Sequence, residues 1–121
     1  MPIQKILIVD DSKTELMFLT DLLVNNGFIV KTAENAEDAF RRLAEDKPEL
    51  ILMDVVMPGK NGFQLTRALA RDPLYSDIPI MLCSSKNQET DRLWGIRQGA
   101  RDYITKPVNA SDLMDKIKAL G

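Results

Sequence analysis

With 121 residues, 45% of them apolar and 28% charged, the chain has the material for one compact domain with a buried core, and a second domain is not expected. Sixteen basic against eighteen acidic side chains leave a net charge of −2, which gives no electrostatic reason to expect nucleic acid or an anionic membrane as partner. There is no histidine, which excludes Ser-His-Asp triads, imidazole bases and most zinc sites.

No apolar run approaches the roughly 20 residues of a membrane-spanning helix. The opening "MPIQKILIVDD" reaches acids too early for a secretory signal. The single cysteine, Cys83, has no partner for an internal disulfide and reads as a small core hydrophobe. A cytoplasmic protein is expected.

In chain order, "KILIV" (5–9) is a continuous aliphatic run, the pattern of a strand buried on both faces. Ser12 and Glu15 then have capping-box spacing, Leu16, Leu19 and Leu23 follow at helical intervals, and Gly27 ends the helix. "FIVKTA" (28–33) is a second, more polar strand. Asn35 can cap a helix carrying Ala36, Ala39, Phe40 and Leu43, which Pro48 helps to stop. "LILMD" (50–54) is apolar until Asp54, and "VVMPGKNG" (55–62) reads as a loop punctuated by Pro58, Gly59 and Gly62.

A third helix carries Phe63, Leu65 and Leu69 and ends before Pro73. "IPIMLCSS" (78–85) is the fourth strand, and a helix over 87–98 closes at Gly99. On that helix Leu93 and Ile96, with Ala100 beyond it, share the expected inner face, and Trp94 points away as a half-exposed partner anchor or a lid over Tyr103. Gly95 is a weak helix residue that could loosen a moving helix. "DYITK" (102–106) is a short fifth strand, and 110–120 the last helix.

Alternating strands and helices argue for an α/β fold with a parallel sheet covered on both faces. The first, third and fourth strands are the most apolar and belong in the centre. The flavodoxin-like, doubly wound order 2-1-3-4-5 with five helices satisfies that requirement.

Ligands in such sheets bind beyond the carboxyl ends of the strands. There the sequence places Asp10 and Asp11 after the first strand, Asp54 after the third, Ser84 and Ser85 after the fourth, and Lys106 after the fifth. Converging carboxylates repel one another unless protonated or bridged by a cation, and an oxygen-only donor set points to Mg²⁺ or a similar hard ion. A carboxylate nucleophile beside a metal, an ammonium and a hydroxyl can accept a phosphoryl group, so the chemistry expected is reversible formation of an aspartyl phosphate. No Gly-rich phosphate cradle follows the first strand. Val56 stands where haloacid-dehalogenase-type phosphatases have a second Asp, which argues against a turnover enzyme.

The stretches "ILIVDDS", "LILMDVVMPGKNGF", "IPIMLCSS" and "GARDYITKPV" together closely resemble the receiver domain of bacterial two-component response regulators. The resemblance implies that Asp54 is the phosphoacceptor and that Asp10, Asp11, Asp54 and the backbone carbonyl of Val56 hold Mg²⁺, Asp10 directly or through water. It implies that Lys106 and Ser84 contact the phosphoryl group, that Lys106–Pro107 is a cis peptide, and that Ser84 and Tyr103 form the switch. A histidine kinase or phosphotransfer protein would be the phosphodonor. Output would pass through the face made by the fourth helix, fifth strand and last helix, with Trp94, Arg97 and Tyr103 as candidate output residues.

A single receiver domain over 1–121, monomeric and without an output domain, is expected. The stretch "SKNQETDRLWGIRQGARDYITKPV" is similar to single-domain regulators of chemosensory systems that control type IV pilus twitching motility. The alternative is an interaction module that keeps this fold and works without phosphorylation. At Val56 and Lys86 the family varies, and side chains there influence the lifetime of the phosphoryl group.

Overall fold

The computed structural model describes residues 2–57, 59 and 61–121. Among them, strands and helices alternate as β1 (Lys5–Val9), α1 (Lys13–Asn25), β2 (Ile29–Ala33), α2 (Ala36–Glu45), β3 (Leu50–Asp54), α3 (Gly62–Arg71), β4 (Ile80–Ser84), α4 (Glu89–Gln98), β5 (Asp102–Thr105) and α5 (Ala110–Leu120). Every strand pair is parallel and the order is β2-β1-β3-β4-β5. β3 and β4 are buried throughout, β1 nearly so, and the polar β2 and β5 take the edges. Pro58 falls outside the described residues.

Alternation along the strands divides the core into two layers. Ile6, Ile8, Leu52, Met81 and Cys83 pack with Leu16, Leu19 and Leu23 of α1 and Leu113 and Ile117 of α5. Leu7, Val9, Ile51, Met53 and Leu82 face Ala39 and Leu43 of α2 and Leu65 and Leu69 of α3. Each fully buried Leu or Ile contributes roughly 1.5–3 kcal/mol by leaving water. Phe40, expected among the apolar residues of α2, is exposed instead.

The caps explain where helices begin. Ser12 accepts from the Glu15 amide at 3.3 Å, but only this half of the expected capping box forms. The Ser12 amide donates instead to Asp10 Oδ1 at 2.9 Å, so the start of α1 fastens the Asp10 carboxylate. Asn35 caps α2 as expected, and Asn61 and Gln64 make a reciprocal capping box on α3.

Two glycines have roles that composition does not announce. Gly62 belongs to the first turn of α3 rather than to a loop, and donates to the Val55 carbonyl at 2.8 Å. A β-carbon on it would lie 2.1 Å from the Asp54 carbonyl oxygen, so only glycine lets α3 start against the end of β3.

On α4 the expected inner face is overturned. Leu93 and Ile96 are 51% and 38% exposed, Trp94 is half-exposed as expected, and the buried residue is Gly95. A β-carbon on Gly95 would lie 2.5 Å from Leu82 Cδ1 and 3.4 Å from Tyr103 Cδ2. Close approach of α4 to the sheet therefore runs through its smallest residue, and the large apolar side chains are left outside. Ala100, just past the helix, is buried as expected.

Candidate functional site

Register alone gathers the polar groups. Val9 pairs with Met53, so the next residues along those strands, Asp10 and Asp54, emerge side by side at the carboxyl rim. Ser84 pairs with Thr105, and the Lys106 amide donates to the Ser84 carbonyl at 2.8 Å, bringing the lysine to the same rim.

Oxygens of Asp10, Asp11 and Asp54 all lie within 4.8 Å of one another. Asp10 and Asp54 are buried and Asp11 is exposed. Lys106 Nζ donates to Asp10 Oδ2 and to Asp54 Oδ1, both at 3.0 Å. Asp10 is thus held at both oxygens, by Lys106 and by the Ser12 amide. Burial pushes the Asp54 carboxyl up to about 6, against the pull of Lys106 and with a further push from Asp10. Burial opposes the charge on Lys106, but its hydrogen bonds to Asp10 and Asp54 prevail and hold it above the usual lysine range.

One ammonium cannot neutralise three carboxylates, and the excess negative charge faces the open rim. The donor set is all carboxylate oxygen, two of its members buried and fixed, which fits a hard divalent ion such as Mg²⁺. The pocket is therefore able to hold a cation and to present a carboxylate oxygen of Asp54 as a nucleophile.

Beside it, the Lys86 backbone joins two side chains. Its amide donates to Ser84 Oγ at 3.1 Å, and its carbonyl accepts from the Tyr103 hydroxyl at 2.9 Å. Tyr103 is buried, and burial raises its phenol above the ordinary range. The Lys106–Pro107 bond is cis.

Among the residues expected at the site, Asp10, Asp11, Asp54 and Lys106 converge, and Ser84 stands buried at the adjoining strand end. The Val56 side chain is 61% exposed and turns from the core. The three candidate output residues do not share a surface. Trp94 and Arg97 line a groove between α3 and α4, whereas Tyr103 lies beneath α4 with its ring against Gly95. Sequence reasoning missed the Ser12 amide and Gly62, because a backbone donor and a clash with a backbone oxygen leave no mark in composition.

An acidic rim with one lysine at the carboxyl edge of a 2-1-3-4-5 sheet is the constellation expected of a phosphoryl-accepting signalling module. Residues 6–118 match the response regulator receiver domain, and the chain belongs to that family. It is 51% identical over 116 residues to protein PilH of Pseudomonas aeruginosa, covering 96% of both chains. It is 37% identical to the phosphate regulon transcriptional regulatory protein PhoB of Escherichia coli, over 97% of this chain but only 51% of PhoB.

Among solved structures, chemotaxis protein CheY4 of Vibrio cholerae superposes with a TM-score of 0.91 at 25% identity, over 98% of this chain and 99% of that one. A two-component response regulator from Clostridium difficile gives 0.89 at 27% identity, over 97% and 94%. Two-component signalling is the function of this family, and its members are signalling modules rather than turnover enzymes. Among the described residues no helix is long and apolar enough to cross a membrane.

Proposed function

We infer that Asp54 is the phosphoacceptor of a phosphorylation-switched response regulator, and that Asp10, Asp11, Asp54 and the Val56 carbonyl hold Mg²⁺. The observation that carries this reading is the Lys106 ammonium, 3.0 Å from Asp10 and 3.0 Å from Asp54 inside the carboxylate cluster. Bound Mg²⁺ would supply positive charge for the phosphoryl oxygens.

The chain's own residues do the rest. Lys106 orients the Asp54 carboxylate through Oδ1, and one oxygen of that carboxylate is the attacking atom. A phosphohistidine on a histidine kinase or phosphotransfer protein loses its P–N bond as the P–O bond to Asp54 forms. The Lys106 ammonium then offsets charge on the phosphoryl oxygens, and the Ser84 hydroxyl donates a hydrogen bond to one of them.

The switch follows from the Lys86 bridge. A Ser84 hydroxyl that turns toward the phosphoryl group leaves the Lys86 amide, and the shift of that peptide loosens the carbonyl that holds Tyr103. The signal passes to a protein partner at the face formed by α4, β5 and α5, or ends there if the protein serves as a phosphate sink. The match to PilH spans 96% of both chains, which fits a regulator acting through a receiver domain alone; that it is monomeric and cytoplasmic is part of the same proposal. The similarity of "SKNQETDRLWGIRQGARDYITKPV" to single-domain regulators of type IV pilus chemosensory systems supports membership of such a system.

The test is transfer from an autophosphorylated histidine kinase in the presence of Mg²⁺. Wild type takes up the phosphoryl group and Asp54→Asn does not; transfer to both equally would overturn the assignment. Binding of the downstream partner that ignored Asp54→Asn would instead support the phosphorylation-independent reading.

A further inference from the structure

The groove between α3 and α4 has its own chemistry, apart from the acidic rim. Its lining includes Arg67, Ala70 and Arg71 from α3, with Trp94, Arg97 and Gly99 from α4 and its cap, around an opening of about 420 Å³. Ala70 and Gly99 form the floor, so close that a β-carbon on Gly99 would lie 2.6 Å from Ala70 Cβ. The three arginines are exposed and, among the described residues, none makes an ion pair within the chain.

Helix dipoles account for part of this. Arg71 ends α3 and Arg97 lies in the last turn of α4, where positive charge is favoured. That explanation does not reach Arg67, a turn earlier, or Trp94, which keeps half its surface in water instead of covering the core. Three free guanidinium groups around an exposed indole, on a chain whose net charge is −2, form a local inversion of the molecule's electrostatics. Arginine and tryptophan are also the side chains that most often dominate protein interfaces.

We propose that the α3/α4 groove docks an acidic segment of a partner protein, its carboxylates on Arg67, Arg71 and Arg97 and an apolar side chain on Trp94. This site lies on the α3 side of α4, away from β5 and α5, and its occupation needs no phosphoryl group on Asp54.

The probe is a short fluorescent-labelled peptide of alternating Glu and Leu, read by anisotropy, with emission of the chain's only tryptophan as the site reporter. Saturable binding with a change in Trp94 emission is expected. Each of Arg67→Ala, Arg71→Ala and Arg97→Ala should weaken it about three- to fivefold, added salt should weaken it further, and Lys118→Ala should leave it unchanged. Far-UV circular dichroism and the melting temperature verify that each variant is folded. The proposal is overturned by absence of saturable binding, by equal binding of a matched Lys and Leu peptide, or by arginine variants that bind as wild type. Tighter binding of a single-stranded oligonucleotide would also overturn it, as would self-association lost on Arg67→Ala, which would assign the groove to a second copy.

Discussion

The ammonium of Lys106 lies 3.0 Å from Oδ1 of Asp54, and the two residues stand at the ends of strands that are not neighbours in the sheet. The pair spans β4, with the Lys106 amide anchored on the Ser84 carbonyl of that strand. It holds the Asp54 carboxylate in one orientation and sets the charge balance of the rim. Removing the ammonium should therefore affect both chemistry and stability. Lys106→Met leaves two buried carboxylates unpaired, a change expected to cost about 3–5 kcal/mol. Urea denaturation at neutral pH measures the loss, and Mg²⁺ should restore part of it.

The pH dependence of the metal-free protein follows from Asp54. Its folded value, about 6, stands above the ordinary carboxyl value of 3.8, so between these limits the native state binds more protons than the unfolded chain. Stability contributed by this group is present at low pH and falls as pH rises through that window. A loss of about 1–2 kcal/mol by neutral pH is expected after allowance for solvent screening. Asp54→Asn should remove this slope, raising the melting temperature at pH 7 more than at pH 4, which thermal denaturation at the two pH values reads directly.

Mg²⁺ should have the opposite effect, because the site proposed for it is the ionised cluster. At about 100 times its dissociation constant the ion should add about 2.7 kcal/mol of stability. The increase should shrink sharply in Asp11→Ala, whose carboxylate is the exposed member of the trio. A melting temperature indifferent to Mg²⁺ in wild type would remove the metal from the account.

Gly62→Ala tests how the fold positions Asp54. Its new β-carbon would collide with the Asp54 carbonyl oxygen at 2.1 Å and with Val55 Cα at 2.8 Å, both backbone atoms with little room to move. A loss of about 3 kcal/mol or more is expected, since overpacking against backbone exceeds the about 1 kcal/mol that alanine gains as a helix former. Gly95→Ala meets the end of the Leu82 side chain instead, and should cost less in the same denaturation experiment.

Much of the architecture was legible because it depends on hydrophobic continuity. "KILIV", "LILMD" and the core of "IPIMLCSS" became β1, β3 and β4 in the interior, and the polar "FIVKTA" and "DYITK" became edges. The rim was legible for the same reason, since strand ends fixed where Asp10, Asp54 and Lys106 would emerge. α4 was misread because apolar periodicity assumes that the largest hydrophobes face inward. Here the sheet accepts Gly95, and Leu93 and Ile96 are displayed, while Trp94 is half-exposed as its position off that face implied. The Ser12 amide on Asp10 and the Lys86 bridge between Ser84 and Tyr103 are backbone contacts, which side-chain patterns do not encode.

The most direct test of the central claim is intact-mass analysis after incubation with acetyl phosphate and Mg²⁺. Wild type should gain one phosphoryl group, labile to hydroxylamine as an acyl phosphate is, and Asp54→Ala should gain none. Equal labelling of the two proteins, or a stable adduct on another residue, would contradict it.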